Sequence, residues 1–233
     1  MPKILPGIGA SASPSVTLEE VKHNPQAQAY LHRADETLRA LNYTEHGVRH
    51  AELVANIALN TMLRLGYTAR IAELSAISGY LHDIGNMMLR PNHPEVAALL
   101  AAPILEKMGM DYAEIALVMS AIGNHEEGSG EVVNEVAAAV ILADKTDVHR
   151  SRVRDKAEIE FDIHDRVNYA VTRSFLRAEA KARTITLELE IDPQISSVLE
   201  YFEIFIDRML MVRRAALFLG CTFHLEINGD QMV

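Results

Sequence analysis

From Thr17 to about residue 180 the apolar residues recur at the three- and four-residue spacing of a helical face, and only after residue 184 does the pattern turn to alternation. That change of period predicts helices first and strands last. Start signals punctuate the first part: Thr17 stands ahead of Glu20 and Asp111 ahead of Glu114 at capping-box spacing, and Pro94 follows Asn92-His93 as a first-turn proline does. Gly66 and Gly109 read as the matching stops. Six or seven helices and no strand are predicted as far as residue 180. In the tail, Ile185, Leu187, Leu189 and Ile191 alternate with polar residues, as do Cys221, Phe223, Leu225 and Ile227. Between them Ile195, Val198, Leu199, Phe202, Phe205, Ile206, Met209 and Leu210 share one helical face, expected to start at Asp192-Pro193. A helix of that length returns the chain to the same end, so the two strands are expected to be parallel. The expected fold class is mainly α: a leader over 1–16, rich in Gly, Ser, Ala and Pro and mobile or loosely docked, a helical domain over 17–183, and a small strand-helix-strand α+β unit over 184–233.

With 233 residues, 49% of them hydrophobic, the chain can bury a substantial core. Its net charge of -10 argues against a surface that tracks a nucleic-acid backbone, while leaving room for a small phosphorylated ligand gripped by a local basic cluster. The single cysteine, Cys221, excludes a disulfide framework or a Cys-rich zinc site within the chain. Charged residues interrupt every apolar run before about 18 residues accumulate, so no membrane helix is expected. Pro and Gly break the N-terminal stretch before an export signal can form, and a cytoplasmic protein is the expectation. Two strands under one helix leave open edges, which suggests pairing with a second subunit or docking on the helical part; a homodimer is expected.

The histidines and acids point to metal chemistry. His82 and Asp83 are adjacent at the end of an apolar helix, a spacing that lets two donors straddle one ion or bridge two. His46 lies one helix upstream, His93 shortly downstream, and His125 on a Gly-rich turn. Asp144 ends the apolar run Ala137 to Ala143, so it is expected to be buried, and a buried carboxylate needs a cation or a hydrogen-bond network. Imidazole and carboxylate without thiolate suit a transition metal or zinc with open coordination positions. His50, one turn after His46, reads as a core or supporting histidine, and His23, His32, His164 and His224 as surface or packing residues.

The strings YTEHGVRHAELVANIA, YLHDIGN and AVILADKTD, in that order over about residues 43 to 155, resemble the HD superfamily of metal-dependent phosphohydrolases. The resemblance implies that His46, His82, Asp83 and Asp144 ligate one ion, and that His93 and His125, with Asp83, hold a second, as in binuclear members. One or two divalent ions (Mn, Fe, Ni, Co, Zn or Mg) are the implied cofactors. The chain departs from the branch that cleaves cyclic di-GMP: Asn86 stands where that branch has lysine, Asn124-His125 where it has paired histidines, and Gly128-Ser129-Gly130-Glu131 where it has Gly-Tyr-Pro. It also resembles the HD-domain endoribonucleases in a histidine before Glu-Val and an Arg-rich stretch after the last aspartate, but an acidic chain without an RNA-binding module is not expected to act on RNA.

The implied reaction is hydrolysis of a phosphate ester of a small substrate, a nucleotide in our reading, by metal-activated water positioned by Asp83. After Asp144 come Lys145, His149, Arg150, Arg152 and Arg154, of which Lys145 and Arg150 are the expected phosphate contacts. A solvated helix end is the plainer reading of the same stretch. The rival function is a metal-containing HD-fold module that binds a phosphorylated ligand as a sensor without turnover; Asn86 and Asn124 are the residues that favour it.

Overall fold

A computed structural model describes residues 15–154 and 162–232. Among these, nine α-helices run in chain order: α1 (Leu18–Lys22), α2 (Pro25–Ala40), α3 (Val48–Arg64), α4 (Ala69–Leu81), α5 (His93–Lys107), α6 (Tyr112–Gly123), α7 (Glu135–Lys145), α8 (Ile163–Ala170) and α9 (Val198–Phe218). The strands are β1 (Val171–Glu179), β2 (Thr184–Ile191), β3 (Thr222–Ile227) and β4 (Asp230–Gln231). The chain is mainly α with a small α+β unit at its C-terminal end, as its periodicity predicts. The leader expected over 1–16 lies outside the described residues except for Ser15 and Val16, and Val16 is buried.

The local signals act as expected at several helix ends. Thr17 and Glu20 close a capping box on α1, Asp111 accepts from the Ala113 amide at the start of α6, and Pro94 occupies the first turn of α5. Gly66 and Gly109 take φ of 86° and 85° after α3 and α5, a backbone conformation open to glycine because it lacks Cβ.

The tail holds the main departures. Strands β2 and β3 are parallel, with Ile185 opposite Phe223, Leu187 opposite Leu225 and Leu189 opposite Ile227. Outside them, β1 pairs antiparallel with β2 and the two-residue β4 with β3, so the sheet has four strands in the order β1-β2-β3-β4. The open edges expected of a two-stranded unit are therefore filled from within the chain, and that argument for a second subunit falls. Residues 171–179 were expected to be helical and are a strand. As an edge strand, β1 exposes Arg173, Phe175 and Arg177, with both guanidinium groups 5.6 Å from the Phe175 ring centroid and both ion-paired to Glu188, so its apolar alternation is weak. Helix α9 starts at Val198 rather than at Asp192-Pro193, because Ser197 and Glu200 form a capping box there while Asp192 caps a separate turn.

Helix α7 is the axis of the molecule: every residue from Val136 to Lys145 is buried. Ala137 and Val140 face a cluster built with Leu31, Ala55, Leu74, Ile77, Ile104 and Ile122 of the surrounding helices. Ala138, Ile141 and Leu142 face another, which continues through Val54 and Met62 of α3 into Leu187 and Leu225 of the sheet and Tyr201, Phe205 and Val212 of α9. The sheet and α9 are thus docked on the helical part through a shared apolar core. No helix among the described residues is long and apolar enough to cross a membrane.

Candidate metal centre

Five helix ends deliver polar side chains to one buried place. His50 stands in the first turn of α3, His82 caps α4, and Asp83 opens the 3-10 turn Ile84–Met87. His93 is the first residue of α5, His125 follows α6, and Asp144 lies in the last turn of α7. All six are buried. The Nε2 atom of His50 lies 3.3 Å from His82 Nε2, 3.3 Å from Asp144 Oδ1 and 3.7 Å from Asp83 Oδ2. His82 Nε2 is in turn 3.3 Å from Asp83 Oδ2 and 3.7 Å from Asp144 Oδ1. On the other side of Asp83, His93 Nε2 lies 3.3 Å from Oδ1 and 3.1 Å from His125 Nε2. Asp83 therefore offers one carboxylate oxygen to each of two groups of donors.

The hydrogen bonds fix which nitrogen of each ring faces inward. Carbonyl oxygens only accept, so the contacts of His82 Nδ1 with Gly79 O at 2.7 Å, His93 Nδ1 with Arg90 O at 2.9 Å and His125 Nδ1 with Ile122 O at 2.6 Å place the proton on Nδ1. His50 Nδ1 donates to Asp147 Oδ2 at 2.7 Å. The Nε2 lone pairs then converge on one another and on two carboxylates, an arrangement that is repulsive unless a cation or extra protons lie among them. Ligands about 2.1 Å from one ion stand roughly 3.0–3.4 Å apart in octahedral or tetrahedral order, and the distances around His50, His82, Asp83 and Asp144 fall at or slightly above that range. The buried donors fit a divalent metal ion.

Electrostatics agree. Burial disfavours a charged His82, yet Asp83 and Asp144 outweigh it and push its pKa up to about 10, the mark of a position that attracts positive charge. Burial would also neutralise the acids, but His82 and His93 hold Asp83 well below the usual carboxylate range, and Lys145, His50 and His82 do the same for Asp144. His125, ringed by other imidazoles, is kept neutral by burial and by His82.

The residues singled out in the sequence meet different fates. His82, Asp83, His93, His125 and Asp144 come together. His46 does not join the donor groups among the described residues: its Nδ1–H donates to Thr44 O at 2.7 Å, and its ring centroid is 5.4 Å from that of His50. His50 takes the place expected for His46, because it lies on the inner stripe of α3 with Val54 and Ala58, whereas His46 precedes the helix. Lys145 is enclosed rather than presented to a substrate. Its ammonium is 2.9 Å from Asp144 Oδ2 and 3.1 Å from Glu126 Oε2 and also pairs with Glu127, so its charge balances the acidic side of the site. Arg150 lies over the Tyr169 ring at 5.2 Å, and no described contact joins it to the donors. The rest of the basic stretch ties segments together: Arg152 donates to Asp147 O and Glu45 O, and Arg154 pairs with Asp35.

Asp147 and Arg90 stand beside the donors with no role foreseen for them, and Asn86, which stands where the cyclic di-GMP branch has lysine, binds Asp83. Asp147 accepts from His50 and from Arg49 NH2 at 2.9 Å, and despite burial Arg152 and His50 hold its carboxyl far below the ordinary range. Asn86 donates to Asp83 Oδ1 at 2.7 Å. Arg90 lies beside His93, with NH1 3.2 Å from His93 Nε2 and from Asn86 Oδ1 and NH2 3.3 Å from Glu126 Oε1. In the sequence, Asp147 is signalled by the Lys-Thr-Asp string after Asp144 and Asn86 by its place at the end of YLHDIGN.

The division between His50 and His46 gives a direct expectation. His50→Ala should lose bound metal, while His46→Ala should keep it, as read by metal analysis of the purified variants. Loss of metal from both, or from His46→Ala alone, would contradict the assignment.

No family model matches the chain. An uncharacterized protein of Methanocaldococcus jannaschii is 29% identical to it, over 60% of this chain and 62% of that protein. The chain thus spans about three fifths of the length of this relative, and the likeness carries no activity with it.

Proposed function

We propose that the chain is an HD-type, metal-dependent phosphohydrolase acting on a phosphate ester of a small molecule, of nucleotide type. The observation that carries this reading is Asp83, a buried carboxylate offering Oδ2 to the donors His50, His82 and Asp144 and Oδ1 to His93 and His125. Divalent ions in such a site supply an acidified water nucleophile and neutralise phosphoryl charge. The chain's own residues do the rest. Asp147 holds the His50 ring with Nε2 facing inward, and Lys145 offsets Asp144, Glu126 and Glu127. His46 is kept neutral by burial and by Arg152, with Nδ1–H bound to Thr44; its Nε2 is a proton acceptor beside the donors, suited to moving a proton during ester cleavage.

Arg90 replaces Lys145 and Arg150 as the proposed phosphate contact. Its guanidinium is partly accessible and its partners stand at 3.2–3.3 Å. Were His93 Nε2 to hold a metal, Arg90 NH1 would lose that partner and be free to meet a phosphate oxygen. Tyr43, 43% exposed, lies 5.8 Å from the same guanidinium and offers an aromatic face to a planar substituent such as a base.

A screen of phosphomonoesters, cyclic nucleotides and dinucleotides with metal-loaded protein tests the reading. Metal-dependent turnover is expected, with Arg90→Gln raising KM about tenfold or more while kcat and metal content change little. Binding of a phosphorylated ligand without turnover, in protein shown to be fully loaded, would favour the sensor instead.

A further inference from the structure

The outward face of α9 carries Leu199, Ile206, Leu210 and Leu217, which are 77%, 45%, 39% and 61% exposed. At 100° per residue the steps of seven, four and seven bring all four within about 20° of one line, roughly 27 Å long. The opposite face, with Tyr201, Phe205, Met209 and Val212, is buried against the sheet and α7, so among the described residues the stripe is surplus to the core. Contiguous apolar stripes of this kind mark interaction sites.

The order of residues says what fits. Leu199 and Leu217 lie equally far on either side of Arg208, as do Ile206 and Leu210, so the apolar stripe of α9 is symmetric about that level. In an antiparallel pair of α9 helices related by a two-fold axis at that level, Leu199 faces Leu217 of the other copy, Ile206 faces Leu210, and exposed Glu203 meets exposed Arg214, which lies on the same flank of the stripe. Acidic Glu203 and Asp207 occupy one half of the exposed face and basic Arg213 and Arg214 the other, so antiparallel pairing sets opposite charges together and parallel pairing sets like charges together. We infer that α9 is a homodimerisation helix that binds a second copy of this chain antiparallel, centred on Arg208. The surface is separate from the His/Asp donors.

Light scattering and sedimentation of the whole protein at micromolar concentration decide it. A dimer is expected, and Ile206→Glu with Leu210→Glu should weaken it by more than about 30-fold, the scale of losing an interface hot spot. Glu203→Arg and Arg214→Glu should each weaken the dimer, and the two together should restore it. All of these positions are exposed, so circular dichroism should be unchanged. If the apolar variant does not fold, the charge series decides. A monomeric wild type, a dimer indifferent to Ile206→Glu with Leu210→Glu, or a double charge reversal that fails to restore pairing would overturn the inference.

Discussion

Replacing Asp83 by Ala is expected to leave a folded protein with almost no bound metal and none of the phosphohydrolase activity proposed for it. Asp83 reaches His50 and His82 through one carboxylate oxygen and His93 through the other, so a single substitution should weaken both groups of donors. Losing a partner one step removed from a metal costs about 10–100-fold in affinity or activity, and losing a bridging ligand should exceed that. Asp83→Asn is the stricter test, since it keeps shape and removes charge. It should fail nearly as completely, because a neutral amide cannot supply the negative charge with which Asp83 and Asp144 together draw positive charge to the site around His82. Asp147→Asn should fall between: His50 keeps its position but loses the carboxylate that fixes its proton on Nδ1, and the metal dissociation constant should rise ~10–100-fold. Titration with a metal indicator ranks the three. Equal affinity in wild type and Asp83→Asn would remove Asp83 from the site.

A second large effect is expected at Gly85, which no chemistry requires. A Cβ there would sit 2.1 Å from the His93 carbonyl oxygen and 2.7 Å from the Ala97 amide nitrogen, both backbone atoms that cannot rotate away. Gly85 lets the turn carrying Asp83 press against the first turn of α5, and that contact sets the separation of Asp83 from His93. Gly85→Ala should therefore cost about 3 kcal/mol or more, the upper end of the range for overpacking. For a chain of this size that is a fall of ~6–12 °C in the melting temperature. It should also weaken metal binding at the His93 and His125 side more than at the His50 side. A melting temperature within about 2 °C of wild type would show that α5 can yield, and that the contact is not what places His93.

How much of this was legible depends on how local the determinant is. Helix ends were, because Thr17, Asp111, Gly66 and Gly109 act on the backbone within a turn of themselves. Asp144 was, since a carboxylate closing an apolar helix has few places to go. The exchange of His46 for His50 turned on where α3 begins; a start at Val48 puts His50 on the inner stripe and leaves His46 outside, and the stripe, not the order of histidines, held the answer. Lys145 looked like a free cation because the sequence gives no sign that Glu126 and Glu127 fold around it from the preceding loop. Strand β1 was hidden because an edge strand with a bulge near Val171 and arginines on its outer face has little alternation to read.

The central claim is that the converging imidazoles and carboxylates exist to hold metal. The most direct measurement is elemental analysis of purified protein after exposure to Mn, Fe, Ni, Co, Zn and Mg in turn and removal of the excess. The account predicts at least one tightly held divalent ion per chain, and a fall in melting temperature on chelation that re-addition reverses, as linkage requires of a ligand that binds only the folded state. Folded protein that retains no ion from any of these solutions, and melts at the same temperature with and without chelator, would contradict it.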